Sequence, residues 1–302
     1  MKQIIIDTDI CCGCAACMEI CPYSAIEMVK GKAEFHLESC FLCGHCRAVC
    51  PVNCIQVSGM AETLGLIIMP ESQEVMSPGE GNSSELICLM QSRRSCRQYQ
   101  NTEVELALLQ DLVKIGTTAP SGTNCQSWNF TILPTRTDVT GFGAMVGDYY
   151  RRLNRLAKNP LLRVLVRFAG GDSLGRYYRN YYKSVQRALD LWDDGGEDLL
   201  FHGAVAAILV TGKNDASCPL EDSMLATQNI LLAAHSAGLG SCLIGFAVEA
   251  MRRSPVIKKK MECGRDEEIH AVIALGYPAV KYLRPASRRE VHPRIIRMEG
   301  TL

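Results

Sequence analysis

The stretch "CCGCAACMEICP" at residues 11–22 places five cysteines in twelve positions. A second stretch, "CFLCGHCRAVCP" at residues 40–51, repeats its spacing. Each reads Cys-x2-Cys-x2-Cys-x3-Cys-Pro, and the offset between Cys11, Cys14, Cys17, Cys21 and Cys40, Cys43, Cys46, Cys50 is 29 residues throughout. A constant offset marks an internal repeat. Ten of the chain's sixteen cysteines fall in residues 11–54. Thiolates two residues apart converge on one metal centre, while the fourth, set off before a proline, is directed toward a second.

Zinc sites pair their ligands across a long gap rather than packing four cysteines into eleven residues twice over. The Cys-x3-Cys-x2-Cys spacing of radical enzymes that use S-adenosylmethionine is absent. Residues 1–57 instead resemble a bacterial-type 2[4Fe–4S] ferredoxin, in which the fourth cysteine of each run ligates the other cluster. The resemblance implies one [4Fe–4S] cluster on Cys11, Cys14, Cys17 and Cys50, and another on Cys40, Cys43, Cys46 and Cys21. Cys12 and Cys54 align in the repeat with Phe41 and Ala25, both apolar, so both are expected to act as small hydrophobes rather than ligands. The segment carries four basic and six acidic residues, as ferredoxins do, and it is short enough that clusters would serve as its staples.

The whole chain has 302 residues, 47% hydrophobic and 21% charged, with zero formal net charge. That is the composition of an ordinary globular protein, with no basic excess calling for nucleic acid. Apolar runs such as "AVAAILV" (204–210) are far shorter than a membrane span. The start, "MKQIIIDTDICC", carries Asp7 and Asp9 where a signal peptide would be apolar. Cysteine used in ligand spacing rather than for disulfides fits the cytoplasm.

Beyond Ile55 the stretch "MPESQEVMSPGEGNSSE" (69–85) reads as a linker. Helical periodicity follows at 103–116, with Val104, Ala107, Leu108, Leu112 and Ile115 on one stripe. Residues 224–238 are apolar nearly all round, as expected of a helix buried by a large core or by a subunit interface. Residues 204–210 and 267–278 read as buried strands. The glycine runs "GFGAMVG" (141–147) and "GLGSCLIG" (238–245) miss the spacing of a dinucleotide fingerprint, and no phosphate-loop motif is present.

Three stretches taken in order are similar to the nitroreductase family: "SRRSCRQY" (92–99), "APSGTNCQSWNF" (119–130), and "GLGSCLIGF" (238–246) followed by "LGYP" (275–278) and "KYLRPASRR" (281–289). The first also reads as a helix start, where backbone donors and guanidinium groups would suit a phosphate. The family resemblance implies an α+β fold, with a central, mostly antiparallel sheet flanked by helices and FMN bound at the interface of a homodimer. Carried over by motif, Arg93, Arg94, Ser95 and Arg97 would hold the phosphate and ribityl chain. Pro120, Ser121, Gly122 and Asn124 would reach the flavin of the partner chain. The backbone at Leu243, Ile244 and Gly245 would face the isoalloxazine edge, and Arg284 and Arg288 would close on the phosphate, with Arg289 an alternative. Ser127 follows Gln126 where the family often has proline. The flavin carries the chemistry, so no catalytic side chain is assigned.

The expected organisation is a ferredoxin-like domain at 1–60, a linker at 61–85 and an FMN domain at 86–302. The function that follows is an FMN-dependent oxidoreductase whose clusters relay electrons to FMN, for reduction of a small organic acceptor such as a nitroaromatic, a quinone or an activated alkene. Reduced ferredoxin and NAD(P)H are the candidate donors. The alternatives are a non-catalytic redox sensor or electron shuttle, and reverse flow, with the flavin oxidising a substrate and the clusters exporting electrons. Residues 151–187 stand apart, with ten basic residues against the single acid Asp172, and tyrosines at 149, 150, 177, 178, 181 and 182. They read as a solvated helical face, or as a cap favouring anionic aromatic substrates or an acidic redox partner.

Overall fold

The computed structural model of the chain describes residues 4–36, 40–72 and 74–297. The first domain comprises β1 (Ile4–Ile6), α1 (Ala16–Glu19), β2 (Ile26–Val29), β3 (Lys32–Phe35), α2 (His45–Ala48) and β4 (Ile55–Val57). β1 pairs antiparallel with β4, and β2 with β3. The sequence repeat is also a backbone repeat. Gly13 and Leu42, Ala15 and Gly44, and Ser24 and Asn53 are pairs 29 residues apart, and all six have positive φ. Ala15 and Gly44 stand just before α1 and α2. Left-handed residues turn the chain sharply enough to bring closely spaced cysteines around one point, although they cost a side-chain-bearing residue roughly 1–2 kcal/mol. Ile4, Ile26, Ala33, Leu42, Ile55 and Val57 form a small core around the cysteines.

Residues 58–82 contain no helix or strand among the described positions, but the segment is tied down. The buried carboxylate of Asp111 accepts from the backbone N–H of Ile67, Ile68 and Met69 at 2.7, 2.7 and 2.9 Å. Arg47 on α2 pairs with Glu62 at 3.1 Å. Asn82 caps α3 (Ser83–Ser92) by accepting from Glu85 N–H, so the last three positions read as linker form a first helical turn.

The second domain continues with α4 (Leu106–Gly116), β5 (Trp128–Leu133), α5 (Arg136–Lys158), α6 (Pro160–Gly170), α7 (Ser173–Asn180), α8 (Tyr182–Asp193), β6 (Ala206–Lys213), α9 (Pro219–Ser236), β7 (Gly240–Leu243), α10 (Gly245–Arg253), α11 (Pro255–Lys260) and β8 (Glu267–Gly276). Its sheet runs β5-β6-β8-β7 and is antiparallel throughout, an α+β architecture. β6 is buried on both faces, which is why its sequence is a continuous apolar run. Ala207 and Leu209 pack with Phe142 and Val146 of α5 and Met251 of α10. Ala206, Ile208 and Val210 pack with Leu109 and Leu112 of α4 and Ile230 of α9.

Among the described residues several apolar surfaces are left open, including one on α6 at Leu161, Val164, Leu165 and Phe168. α9 buries Ala226, Ile230 and Ala234 but exposes Leu220, Met224 and Leu225. α3 beside it buries nothing and exposes Leu86, Ile87 and Met90. Residues 281–297 form no helix or strand, and Leu283, Val291, Ile295 and Ile296 are each 79–81% exposed. Among the described residues no helix is long and apolar enough to cross a membrane.

Candidate functional site

The eight repeat cysteines separate into two cavities. One is lined by Cys11, Cys14, Cys17 and Cys50, together with Cys12 and Cys54. The other is lined by Cys21, Cys40, Cys43 and Cys46. The swap of the fourth cysteine follows from the fold: α1 and α2 pack against each other, so the proline-flanked end of each run reaches the cavity of the other. Burial, reinforced by the charges of Cys43, Cys40 and Cys21, pushes the Cys46 thiol up to about 11. Burial likewise raises Cys17. Sulfurs crowded in this way ionise together only around compensating positive charge, as iron supplies. Among the described residues no three ligating side chains meet at a point that would hold one metal ion. A four-iron cage spreads its thiolates around a cavity, and this donor set fits it.

The two spare cysteines differ. Cys54 is buried, as a small hydrophobe would be, but it also lies beside a predicted ligand: its Sγ is 3.4 Å from Cys50 Sγ. Burial and Cys50 push the Cys54 thiol up to about 12, whereas backbone N–H groups and the Cys54 thiol favour thiolate at Cys50. Cys12 lines the first cavity but is exposed, unlike a small apolar core residue.

The second domain has a cavity of about 910 Å³ lined by Arg97, Cys242, Leu243, Ile244 and Gly245 on one side. Tyr149, Tyr150, Tyr177 and Tyr181 line the other. Segment 93–97 runs against β7, with Cys96 N–H donating to Ser241 O at 2.9 Å, but of the predicted phosphate-side residues only Arg97 lines the cavity; Arg93, Arg94, Ser95, Arg284 and Arg288 do not. The setting of "SRRSCRQY" differs from the helix start expected of it: the motif follows the C-terminus of α3, with Arg93 as its cap. A helix C-terminus presents carbonyls, so the helix end itself contributes no anion site, and anion binding there falls to the side chains that follow it. Arg94 donates from Nη2 to Arg284 O at 2.9 Å and lies over the Tyr282 ring, which brings the tail to the motif. The Arg94 Nε is buried without an acceptor. Arg288 makes a local contact, donating to Ser287 O.

α10 begins in the cavity wall, and the backbone donors of its first turn point to that wall. Its next turns add Phe246, Glu249 and Arg253, which the sequence reading missed. Their i, i+3, i+7 spacing was the available signal. Arg253 is held by Glu249 at 2.5 Å, leaving Arg97 and Arg176 as the cavity's excess positive charge. His202 also lines it, and burial with Arg97 nearby lowers its pKa, so it is neutral at pH 7. Much of the basic segment serves structure. Arg151 pairs with Asp148 and Asp193, Arg179 with Asp172, and Arg163 lies over Tyr178. Tyr150 donates to Phe246 O at 3.0 Å and Tyr177 to Asn154 Oδ1 at 2.6 Å.

Pro120, Ser121, Gly122 and Asn124 are not among the residues lining this cavity. They precede β5, at the opposite edge of the sheet from β7. Gly122 N–H donates to Asp222 Oδ1 at 3.0 Å, and Asn124 Nδ2 donates across the domain boundary to Leu42 O at 2.9 Å.

An antiparallel α+β domain with a cavity at its β7 edge, joined to a domain with two cysteine cages, defines a redox protein of two modules. Residues 90–277 match the nitroreductase family and residues 3–51 match the 4Fe-4S dicluster domain; the chain belongs to the nitroreductase family. It is 27% identical over 202 residues to 4-nitrobenzoate reductase of Pseudomonas putida, covering 62% of this chain and 82% of that protein. It is 25% identical over 203 residues to 4-nitrobenzoate reductase of a Nocardioides species, covering 63% and 78%. The crystal structure of a nitroreductase with bound FMN from Desulfitobacterium hafniense shares the fold at a TM-score of 0.50 and 22% identity, covering 68% of this chain and 94% of that one.

Proposed function

We propose that the protein is an FMN-dependent oxidoreductase with a built-in electron relay. Cys11, Cys14, Cys17 and Cys50 hold one [4Fe–4S] cluster, and Cys21, Cys40, Cys43 and Cys46 hold the other. FMN occupies the cavity at the β7 edge of a homodimer. When bound, the clusters carry single electrons and the flavin performs the two-electron chemistry. Residues 1–60, 61–85 and 86–302 form cluster domain, tether and flavin domain, working in the cytoplasm.

The chain's own groups divide the remaining work. Arg93, Arg94, Ser95 and Arg97 hold the phosphate and ribityl chain, with Arg284 and Arg288 approaching from the tail. First-turn N–H groups at Gly245 and Phe246 meet a polar flavin edge. Tyr149, Tyr150, Tyr177 and Tyr181 exclude water and offer flat surfaces to an aromatic acceptor. The excess charge of Arg97 and Arg176 favours an anionic one, which agrees with relatives that reduce 4-nitrobenzoate. Asp111 holds the tether and Asn124 holds the cluster domain in place.

The observation that carries this reading is the pairing of two separate cysteine cages with a docked, cavity-bearing domain of the nitroreductase family. The test is analysis of anaerobically purified protein for iron, sulfide and FMN, followed by turnover of 4-nitrobenzoate with reduced ferredoxin or NADH as donor. About eight iron and eight sulfide per chain, FMN, and ferredoxin-driven reduction are expected. Stoichiometric zinc without sulfide overturns the cluster assignment. Full cofactors without steady turnover of any small acceptor leave an electron shuttle as the function.

A further inference from the structure

Pro120, Ser121, Gly122 and Asn124 stand at one edge of the sheet, and Arg97 with Leu243–Gly245 at the other. Trp128, just after the first group, pairs with Gly212, which pairs with Glu268, whereas Leu243 pairs with Ile273. Three strand intervals and five residues along β8 separate them by about 14 Å across the sheet and about 17 Å along it. One chain therefore cannot wrap both groups around one flavin. A second copy can, and the open faces of α3, α9 and the 281–297 tail leave apolar surface for it to cover.

The edge at Asn124 is also where the cluster domain docks. Asn124 Nδ2 donates to Leu42 O at 2.9 Å and lies 3.4 Å from Phe41 O. Gln126 Nε2 donates to Asn124 Oδ1 at 3.2 Å and reaches Met60 Sδ at 3.6 Å. Leu42 lies between Cys40 and Cys43, and exposed Cys43 faces a crevice of about 830 Å³ shared with Asn124 and Gln126. Thr123, Asn124 and Gln126 all have positive φ, so the loop holds a strained shape against the cluster domain. Thus the loop that completes the flavin site of one chain carries the second cage of another on its back.

We infer that electrons cross the dimer: each chain's cluster domain serves the flavin of the partner chain, leaving through the Cys21, Cys40, Cys43, Cys46 cage that Asn124 anchors. The Cys11, Cys14, Cys17, Cys50 cage is the more distant, entry-side station. A low-potential one-electron protein donor is oxidised twice, each electron passes from the entry cage to the docked cage, and the two electrons with two solvent protons reduce one FMN. The inference rests on the cluster and FMN reading above, and the test separates the two.

Heterodimers isolated with two affinity tags decide it. Pair one joins an Arg94→Ala/Arg97→Ala chain, with clusters but no FMN, to a Cys40→Ala/Cys43→Ala chain, with FMN but no docked cluster. Pair two joins a wild-type chain to one bearing all four substitutions. Flavin bleaching by reduced ferredoxin is followed anaerobically by stopped flow. Transfer between chains predicts wild-type bleaching in pair one and its loss in pair two. The reverse pattern, or loss in both, overturns the inference. Bleaching at the wild-type rate in both pairs instead sinks the relay itself. FMN occupancy gives a readout independent of electron flow. A wild-type chain paired with an Arg94→Ala/Arg97→Ala/Ser121→Trp chain holds no FMN if sites are built across the dimer, and half the wild-type complement if each chain builds its own, which overturns the inference.

Discussion

A Cβ at Gly13 would collide with the Gly31 carbonyl oxygen, and its φ of 72° already disfavours a side chain. Gly13→Ala therefore opens the first cysteine loop, and iron and sulfide content should fall relative to wild type under identical reconstitution. Gly31→Ala, whose Cβ meets nothing within 4 Å, should lose less. Arg94 poses the same kind of question for the flavin. Its Nε is buried without a partner and its Nη2 is spent on Arg284 O. A guanidinium–phosphate contact is worth roughly 1.5–3 kcal/mol, so Arg94→Ala should weaken FMN binding by about 10- to 100-fold, read by fluorescence titration of the apoprotein. At this scale the grouping of the cysteines was legible through the repeat and its resemblance to two-cluster ferredoxins, and the two cavities collect the same sulfurs. Phe246, Glu249 and Arg253 were not, because only the direction in which α10 leaves β7 turns them into the cavity.

Among the elements, the stretch that composition marks as a linker owes its order to one residue elsewhere. Asp111 on α4 is fully buried and binds three successive backbone N–H groups of that stretch. Burial opposes its ionisation, but those donors hold its carboxyl below the usual carboxylate range. A folded-state pKa depressed below the unfolded value contributes stability above the ordinary pKa of about 4, lost as pH falls through the lowered one. Asp111→Asn should cost about 1.5–3 kcal/mol at pH 7, and the gap to wild type should close on acidification, measured by urea unfolding followed by tryptophan fluorescence. Asp111 sits inside the apolar stripe of α4, at i+4 from Ala107 and i+3 from Leu108, so a lone carboxylate on a core-facing stripe was the available signal, although nothing in the sequence says which backbone groups it binds. The strands at 206–213 and 267–276 were legible as apolar runs because both are interior to the sheet. The helix end at Ser92 was not, because the cap that starts α3, Asn82, lies inside a stretch whose composition reads as linker.

The whole molecule is built for company. Ile295 and Ile296 are about four-fifths exposed at the end of an arm that forms no element of its own. Covering such side chains is worth roughly 1.5–3 kcal/mol each. Ile295→Asp with Ile296→Asp should shift the dimer toward monomer and release FMN with it, as read by light scattering on a sizing column. A variant that stays dimeric with full FMN would show that the arm lies outside the interface. The central claim is that the cysteine cages feed the flavin. Its most direct measurement is anaerobic stopped-flow reduction of Cys11→Ala/Cys14→Ala protein by reduced ferredoxin, with the flavin followed by its visible absorbance. The variant should keep FMN, which no residue before Ser92 is proposed to hold, and should still bleach with dithionite while ferredoxin-driven bleaching collapses. Bleaching by ferredoxin at the wild-type rate would contradict the account.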